Sequence, residues 1–411
     1  MIKFDKFTLD NGLRVIVHQD KTTPVVTLNI LYDVGAKDEV SNLTGFAHLF
    51  EHLMFGGSVN IPKYDEPLQK VGGENNAFTN NDITNYYLSI PKDNIETAFW
   101  IESDRMLDLA FSEKSLEVQR NVVIEEFNQR YLNQPYGDLW LMLRPLVFKK
   151  HPYQWATIGK DISHIENAKM EDVKAFYKKY YNPNNAIMVV AGDVELEEVK
   201  RLSEKWFGPI ARGEDFERNI TMEPKQTEAR FLKVERDVPV NAVFKVYHMC
   251  GRNDADYHTT DLISDLMANG KSSRLYQKLV KEDQLFSSIQ AYISGDIHPG
   301  MLVFAGYLSD GISPEDADKA LVNEIEKLIT EGVSEEELQK VKNKIESVLT
   351  FSDISTLDRA MNLAYHELLG DAHNMNLELD KYQAVKAEDV LRVAKQILYT
   401  NNSTTLYYLK K

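Results

Sequence analysis

Apolar and polar positions change their period several times along this chain, and each change marks an element. Phe7 and Leu9, the turn Asp10-Asn11-Gly12, and Leu13, Val15 and Val17 between polar neighbours predict a hairpin over residues 6–18. A strand rich in β-branched residues is expected over 25–34, and a loop over 35–42 leads to an apolar run from Phe46 to Phe55 with helical spacing. Gly56-Gly57 is expected to end that helix as a C-cap glycine does. A polar stretch then runs to Thr79. Residues 83–90 predict a further strand, and 94–109 and 113–129 predict two helices. After breaks at Pro145, His151-Pro152 and Pro183, residues 186–191 read as a short buried strand closed by Gly192-Asp193.

The order then repeats. Between Pro209 and Glu228, Gly213, Pro224 and many charges interrupt the apolar pattern and suggest a domain boundary. Beyond it strands are expected at 231–234, 242–249, 288–293 and 302–308, with helices between and after them. The helix over 334–351 opens with a capping box, Ser334 and Glu337. Glu171-Asp172-Val173 precedes Asn184-Asn185 by 13 residues, and Glu388-Asp389-Val390 precedes Asn401-Asn402 by the same 13. From 171 to 388 the offset is 217, the length of a domain and too long for a solenoid repeat. Helices following runs of strands, without strict alternation, predict an α+β fold. The expectation is two homologous domains, 1–215 and 216–411, each an antiparallel sheet packed with helices.

Composition narrows the function. Of 411 residues, 43% are apolar and 27% charged, as in a soluble globular protein. A net charge of -16 argues against a nucleic-acid groove and against anchoring to anionic lipid, so neither nucleic acid nor membrane is an expected partner. The single cysteine, Cys250, excludes an intrachain disulfide framework. No run approaches the ~18 apolar residues of a membrane span, and the first residues carry no apolar leader. A cytoplasmic location is expected, or a periplasmic one if a signal peptide has been removed.

Chemistry concentrates in His48-Leu49-Phe50-Glu51-His52. At i and i+4, His48 and His52 leave one face of a helix a turn apart, and Glu51 lies on an adjoining face. The order H-x-x-E-H is the inverted zincin signature: two imidazoles that can hold Zn²⁺ and a carboxylate that can accept a proton from water. Two histidines in a large core can also simply satisfy each other. A catalytic zinc usually has a third protein ligand. The helix after Glu113 offers Glu125 and Glu126, the latter 74 residues beyond His52, and spacing alone does not choose between them.

At this point the chain resembles the pitrilysin family, which includes insulin-degrading enzyme and the mitochondrial processing peptidase. The resemblance covers essentially the full length. Gly45-Phe46-Ala47-His48 through Gly56-Gly57 matches the family's zinc helix, and Asn76-Ala77-Phe78-Thr79 with Asp82, Thr84 and Tyr86 matches its substrate-strand segment. The resemblance implies a zinc metalloendopeptidase with one Zn²⁺ per chain, held by His48, His52 and Glu126, with Glu51 as the proton acceptor. It also implies that Asn75, Asn76, Ala77, Phe78 and Thr79 form an edge strand that pairs with a peptide substrate.

Two departures from the family stand out. Seven residues before its zinc glutamate the family commonly has a second glutamate, and here stands Gln119. Active members also use an arginine and a tyrosine seven residues apart in the later half, at positions filled here by Val280 and Ser287. Neither side chain can polarise a carbonyl. The resemblance therefore implies the zinc subunit of a heterodimer whose homologous partner carries the pair, with a homodimer as the alternative for the isolated chain. A non-catalytic core or assembly subunit is the competing reading. His151, His164, His248, His258 and His298 lack a second ligand at metal spacing and are expected to be structural or solvent-exposed.

Overall fold

The computed structural model describes residues 1–411. The first half runs β1 (Asp5–Thr8), β2 (Arg14–Gln19), β3 (Val25–Tyr32), α1 (Phe46–Leu53), α2 (Asp65–Lys70), β4 (Glu74–Thr79), β5 (Thr84–Pro91), α3 (Ile95–Leu107), α4 (Glu113–Phe127), α5 (Leu139–Val147), α6 (Ser163–Glu166), α7 (Met170–Tyr180), β6 (Ala186–Gly192) and α8 (Leu196–Trp206). The second half runs β7 (Arg230–Arg236), β8 (Ala242–His248), α9 (Tyr257–Ala268), β9 (Phe286–Ile293), β10 (Met301–Leu308), α10 (Pro314–Glu331), α11 (Glu335–Ser352), α12 (Thr356–Leu368), α13 (Glu378–Ala384), α14 (Ala387–Ile397) and β11 (Ser403–Lys410). No helix is long and apolar enough to cross a membrane.

The strands form two sheets, ordered β1-β2-β6-β3-β5-β4 and β7-β11-β8-β10-β9. Each is mostly antiparallel, but β2 pairs with β6, and β7 with β11, in parallel. The expected antiparallel sheets are present, each with one parallel pair added. Strands joined by short connections return antiparallel, whereas β2 and β6 are separated by most of the first half, long enough for a crossover. β6 is buried along its whole length, as its unbroken apolar run implies for a central strand.

Duplication is visible in the topology. The run β2-β6-β3-β5-β4 is repeated as β7-β11-β8-β10-β9 with the same strand directions. The repeated Asn-Asn pairs do the same work in both copies. Asn185 Nδ2 donates to the Tyr180 carbonyl (2.8 Å) at the end of α7 and to the Asp33 carbonyl (3.0 Å) just past β3. Asn402 Nδ2 donates to the Ile397 carbonyl (2.7 Å) at the end of α14 and to the His248 carbonyl (3.0 Å) at the end of β8. Each asparagine satisfies an orphan helix-end carbonyl and ties that helix to a strand.

The chain divides into two compact units, and the division is interleaved. The first contains Met1–Gln129, Trp155–Thr221 and Thr350–Asn376; the second contains Arg130–Gln154, Met222–Leu349 and Leu377–Lys411. A single cut between 215 and 216 misses two exchanged segments. In the first unit α12 places Ala360, Leu363 and Ala364 against Ile16, Leu31 and Val189. In the second, α5 places Leu139, Leu143 and Val147 against Phe244, Val246, Val303 and Leu406. From Leu139 to Thr356 the offset is again 217, so each half gives its equivalent helix to the other half's unit. Amphipathic spacing marks the buried face of such a helix but not the sheet that covers it.

Candidate metal centre

α1 is held at both ends. It starts at Gly45, whose φ of +88° and whose close approach to Ile158 leave no room for a Cβ, which would lie 2.6 Å from the Ile158 carbonyl oxygen. Ahead of it the buried Glu39 carboxyl accepts from the Gly45 and Ala47 N–H groups, each at 2.9 Å, and so satisfies donors that a helix start leaves open. Burial pushes the Glu39 carboxyl up to about 8, although these two bonds pull the other way. Leu49, Phe50 and Leu53 are buried, and Phe50 stacks on Phe176 and Tyr181 at centroid distances of 5.2 and 5.1 Å. The helix stops at Leu53, and Gly57 with φ +104° takes the left-handed turn, so the expected Gly56-Gly57 stop falls three to four residues past the last helical one. Asp104 fixes that turn by accepting from Asn60 N (3.0 Å), Asn60 Nδ2 (2.6 Å) and Ser58 Oγ.

On the outward face of α1 the half-buried rings of His48 and His52 meet edge to face, 4.8 Å between centroids and 83° between planes. Glu126 Oε2 of α4 lies 3.3 Å from His52 Nε2 and 3.6 Å from His48 Nε2. Ligand atoms of the three residues all fall within 4.8 Å of one another. Bonds of about 2.1 Å at a tetrahedral angle put donor atoms about 3.4 Å apart, so this N,N,O set fits zinc and has the three protein ligands usual at a catalytic zinc. The neighbouring Glu125 is exposed and accepts from Gln129 Nε2 at 3.0 Å, so α4 turns Glu126, not Glu125, to the imidazoles. Glu51 is half-buried beside them. Burial raises the Tyr86 and Tyr181 hydroxyls above their ordinary range, and the Glu51 charge adds to both shifts. Gln119, two turns before Glu126, points its amide toward Gly56.

Behind α1 lies a group that the sequence reading passed over. Arg105 of α3, 1% exposed, makes a two-pronged bond to Glu102 (2.8 and 2.7 Å). Its guanidinium carbon sits 4.4, 4.6 and 5.5 Å from the ring centroids of Tyr86, Tyr64 and Phe55. Tyr64 donates to Glu102 (2.5 Å), and Tyr86 donates to the Phe50 carbonyl (3.4 Å) in the last turn of α1. Two charges at i and i+3 on the face that carries Ile95 and Ala98 were the available signal.

β4 is the edge strand of its sheet, paired with β5 on one side only. Its residues alternate exposed and half-buried from Glu74 to Thr79. Asn75 Nδ2 donates to Asp65 Oδ1 (3.0 Å), Asn76 Oδ1 accepts from Ala77 N (2.8 Å), and Phe78 is 37% exposed. In the second unit Val280 packs half-buried against the core, and Ser287 Oγ donates to the Tyr307 carbonyl at 3.1 Å. Nearby Arg274 is committed to Glu337 (2.9 Å). Other histidines have protein partners: His151 Nε2 and His298 Nδ1 bond each other at 2.9 Å, His258 meets Glu378 at 3.1 Å, and His248 meets the Val147 carbonyl at 2.9 Å. His164 Nδ1 bonds the Thr44 hydroxyl at 2.8 Å.

Two family models match the chain. Insulinase (Peptidase family M16) spans residues 14–141, which include His48, Glu51, His52 and Glu126, and the model described as the Peptidase M16 inactive domain spans 167–345. The chain is 29% identical over 411 residues to zinc protease PqqE of Helicobacter pylori, covering 98% of this chain and 92% of that protein. It is 24% identical over 408 residues to the uncharacterized zinc protease YmxG of Bacillus subtilis, covering 97% and 96%. It superposes on the crystal structure of a protease from Helicobacter pylori with a TM-score of 0.93 at 30% identity, over 99% of this chain and 100% of that one.

Proposed function

From the premise that this chain belongs to peptidase family M16, the insulinase or pitrilysin family of zinc peptidases, we propose that it is the zinc-bearing subunit of an endopeptidase for unfolded peptides or oligopeptides. The convergence of His48, His52 and Glu126 beside Glu51 is the observation that carries this reading. Zinc held by these three residues would acidify water and polarise the scissile carbonyl. Glu51 accepts a proton from the attacking water at its carboxylate and delivers it to the leaving amine nitrogen. The free edge of β4, Asn75 to Thr79, pairs with the substrate backbone, which gives affinity with little demand on substrate side chains.

Val280 and Ser287 offer no donor of the right reach to the substrate carbonyl. The proposed source of that donor is a homologous subunit with an arginine and a tyrosine, making the working enzyme a heterodimer in the cytoplasm or periplasm. The test is cleavage of a quenched peptide library by the zinc-loaded chain alone and mixed with such a partner, with Glu51→Gln as control. Cleavage in the mixture alone, lost with Glu51→Gln, supports the divided site. Full cleavage by the chain alone removes the division and keeps the peptidase. Zinc binding without cleavage in either sample puts the non-catalytic assembly subunit first.

A further inference from the structure

The repeat asks what stands in the second unit where the first carries its metal donors. With the 217-residue offset of the Asn-Asn motifs, Phe46, Leu49 and Phe50 of α1 correspond to Ile263, Leu266 and Met267 of α9, so the buried face keeps its apolar character. The same alignment sets Asp265 in place of His48, Ala268 in place of Glu51 and Asn269 in place of His52. α11 holds the place in the second half that α4 holds in the first, the second helix after the edge hairpin; there the 217-residue offset sets Asn343 against Glu126, but Asn343 is exposed and bonded to Gln339, and the next residue, the half-buried Lys344, is the one that turns inward. Lys344 Nζ lies 3.1 Å from Asp265 Oδ1, and Asn269 Nδ2 donates to the same oxygen. Asp265 is 4% exposed, and its other oxygen, Oδ2, is buried with no hydrogen-bond partner.

A carboxylate this deeply buried and only half satisfied requires a cation beside it. We infer that the Lys344 ammonium is that cation, standing in the second unit where the metal ion would stand in the first. A lysine ammonium is a compact point charge with rotatable donors, suited to replacing an ion among oxygen ligands. The second half thus retains the two-helix framework of the centre, has lost the imidazoles and the proton acceptor, and is closed to a second ion by its own side chain. The comparison rests on reading His48, His52 and Glu126 as the metal site, but the charge balance at Asp265 does not.

Two measurements test this. Thermal unfolding of the full chain compares wild type, Lys344→Met and Lys344→Met with Asp265→Asn. The single change is expected to lower the midpoint by roughly 5–10 °C, and adding Asp265→Asn to recover most of it. An unchanged midpoint for Lys344→Met, or a double variant no better than the single, overturns the inference, since lost methylene packing would not be repaired by neutralising Asp265. Zinc content after chelator stripping and reloading is the second. Wild type is expected to hold one zinc, and Asp265→His with Asn269→His and Lys344→Glu to hold two. Two zinc ions on wild type, or one on that triple variant when folded, also count against it. If His48→Ala with His52→Ala still retains the zinc, the peptidase reading fails, while the unfolding result stands on its own.

Discussion

The two units share a five-strand order, to which the first adds β1, and they differ in the side chains that their helices bring to one place. In the first, an edge strand, α1 and α4 frame two imidazoles and a carboxylate; in the second, an edge strand, α9 and α11 frame a carboxylate, an amide and an ammonium. The framework is the same, so chemistry resides in which groups the helices carry, and a duplicated architecture conserves a place for a site without conserving the site. Their supporting charges differ as well. Behind α1 the Arg105–Glu102 pair is sealed, both side chains 1% exposed, whereas Lys344 reaches Asp265 from a side chain 38% exposed.

This comparison can be broken most sharply at Glu51. Its counterpart is Ala268, and Glu51→Gln is expected to retain zinc and lower peptide hydrolysis by roughly 10²–10⁴-fold, the share a positioned acid–base group contributes. Retained turnover would mean that the two units do not differ in the way described. Next comes Arg105→Met, which leaves Glu102 charged and buried and should cost about 3–5 kcal/mol in denaturant unfolding; adding Glu102→Leu should recover most of that loss. Lys344→Met should cost less, because water reaches the lysine side of its pair. Smaller still, Glu126→Gln should weaken zinc binding at least about tenfold in chelator competition, while Glu125→Gln, altered on the exposed face, should leave it unchanged.

The finest contrast is in pH. Burial holds the Glu39 carboxyl at about 8 against an ordinary 4.5, so the native first unit keeps a proton that the unfolded chain has released. Its contribution to stability is complete below about 4.5 and declines as pH rises to 8. In the second unit the bond from Arg274, together with Ser334, pulls Glu337 down to about 2, so its contribution is present above about 4.5 and lost as pH falls toward 2. Unfolding midpoints measured across pH should lose the first slope in Glu39→Gln and the second in Glu337→Gln.

Much of this was legible in the residues. Period-two alternation located β2, runs of apolar, β-branched and aromatic residues located β3, β5, β8 and β10, and the H-x-x-E-H spacing located three of the four groups at the candidate centre. Pattern alone left β4 as a polar stretch, because an edge strand with no fully buried residue has no apolar alternation to detect, and only the family resemblance made Asn75 to Thr79 an edge strand. Spacing did not choose Glu126 over Glu125; the family resemblance did, and the facing of α4 gives the physical reason, since a one-residue step rotates a helix by about 100°. Glu102 and Arg105 lay in plain view on an apolar helix face, but a buried ion pair and a solvated one have the same spelling. Parallel pairing of β2 with β6, and the destination of α5 and α12, depend on contacts between distant segments that no local period encodes.

The exchange of α5 and α12 has a consequence for how the protein is made. The last strand of the first sheet, β6, ends at Gly192, but the helix that covers Ile16, Leu31 and Val189 is not translated until residues 356–368. At about 5–20 residues per second the nascent chain carries that apolar sheet face uncovered for on the order of ten seconds or more. Neither unit can be finished on the ribosome in the order in which it is begun. A chain cut short after residue 349 would be an obvious client for chaperones, with one sheet still lacking its cover.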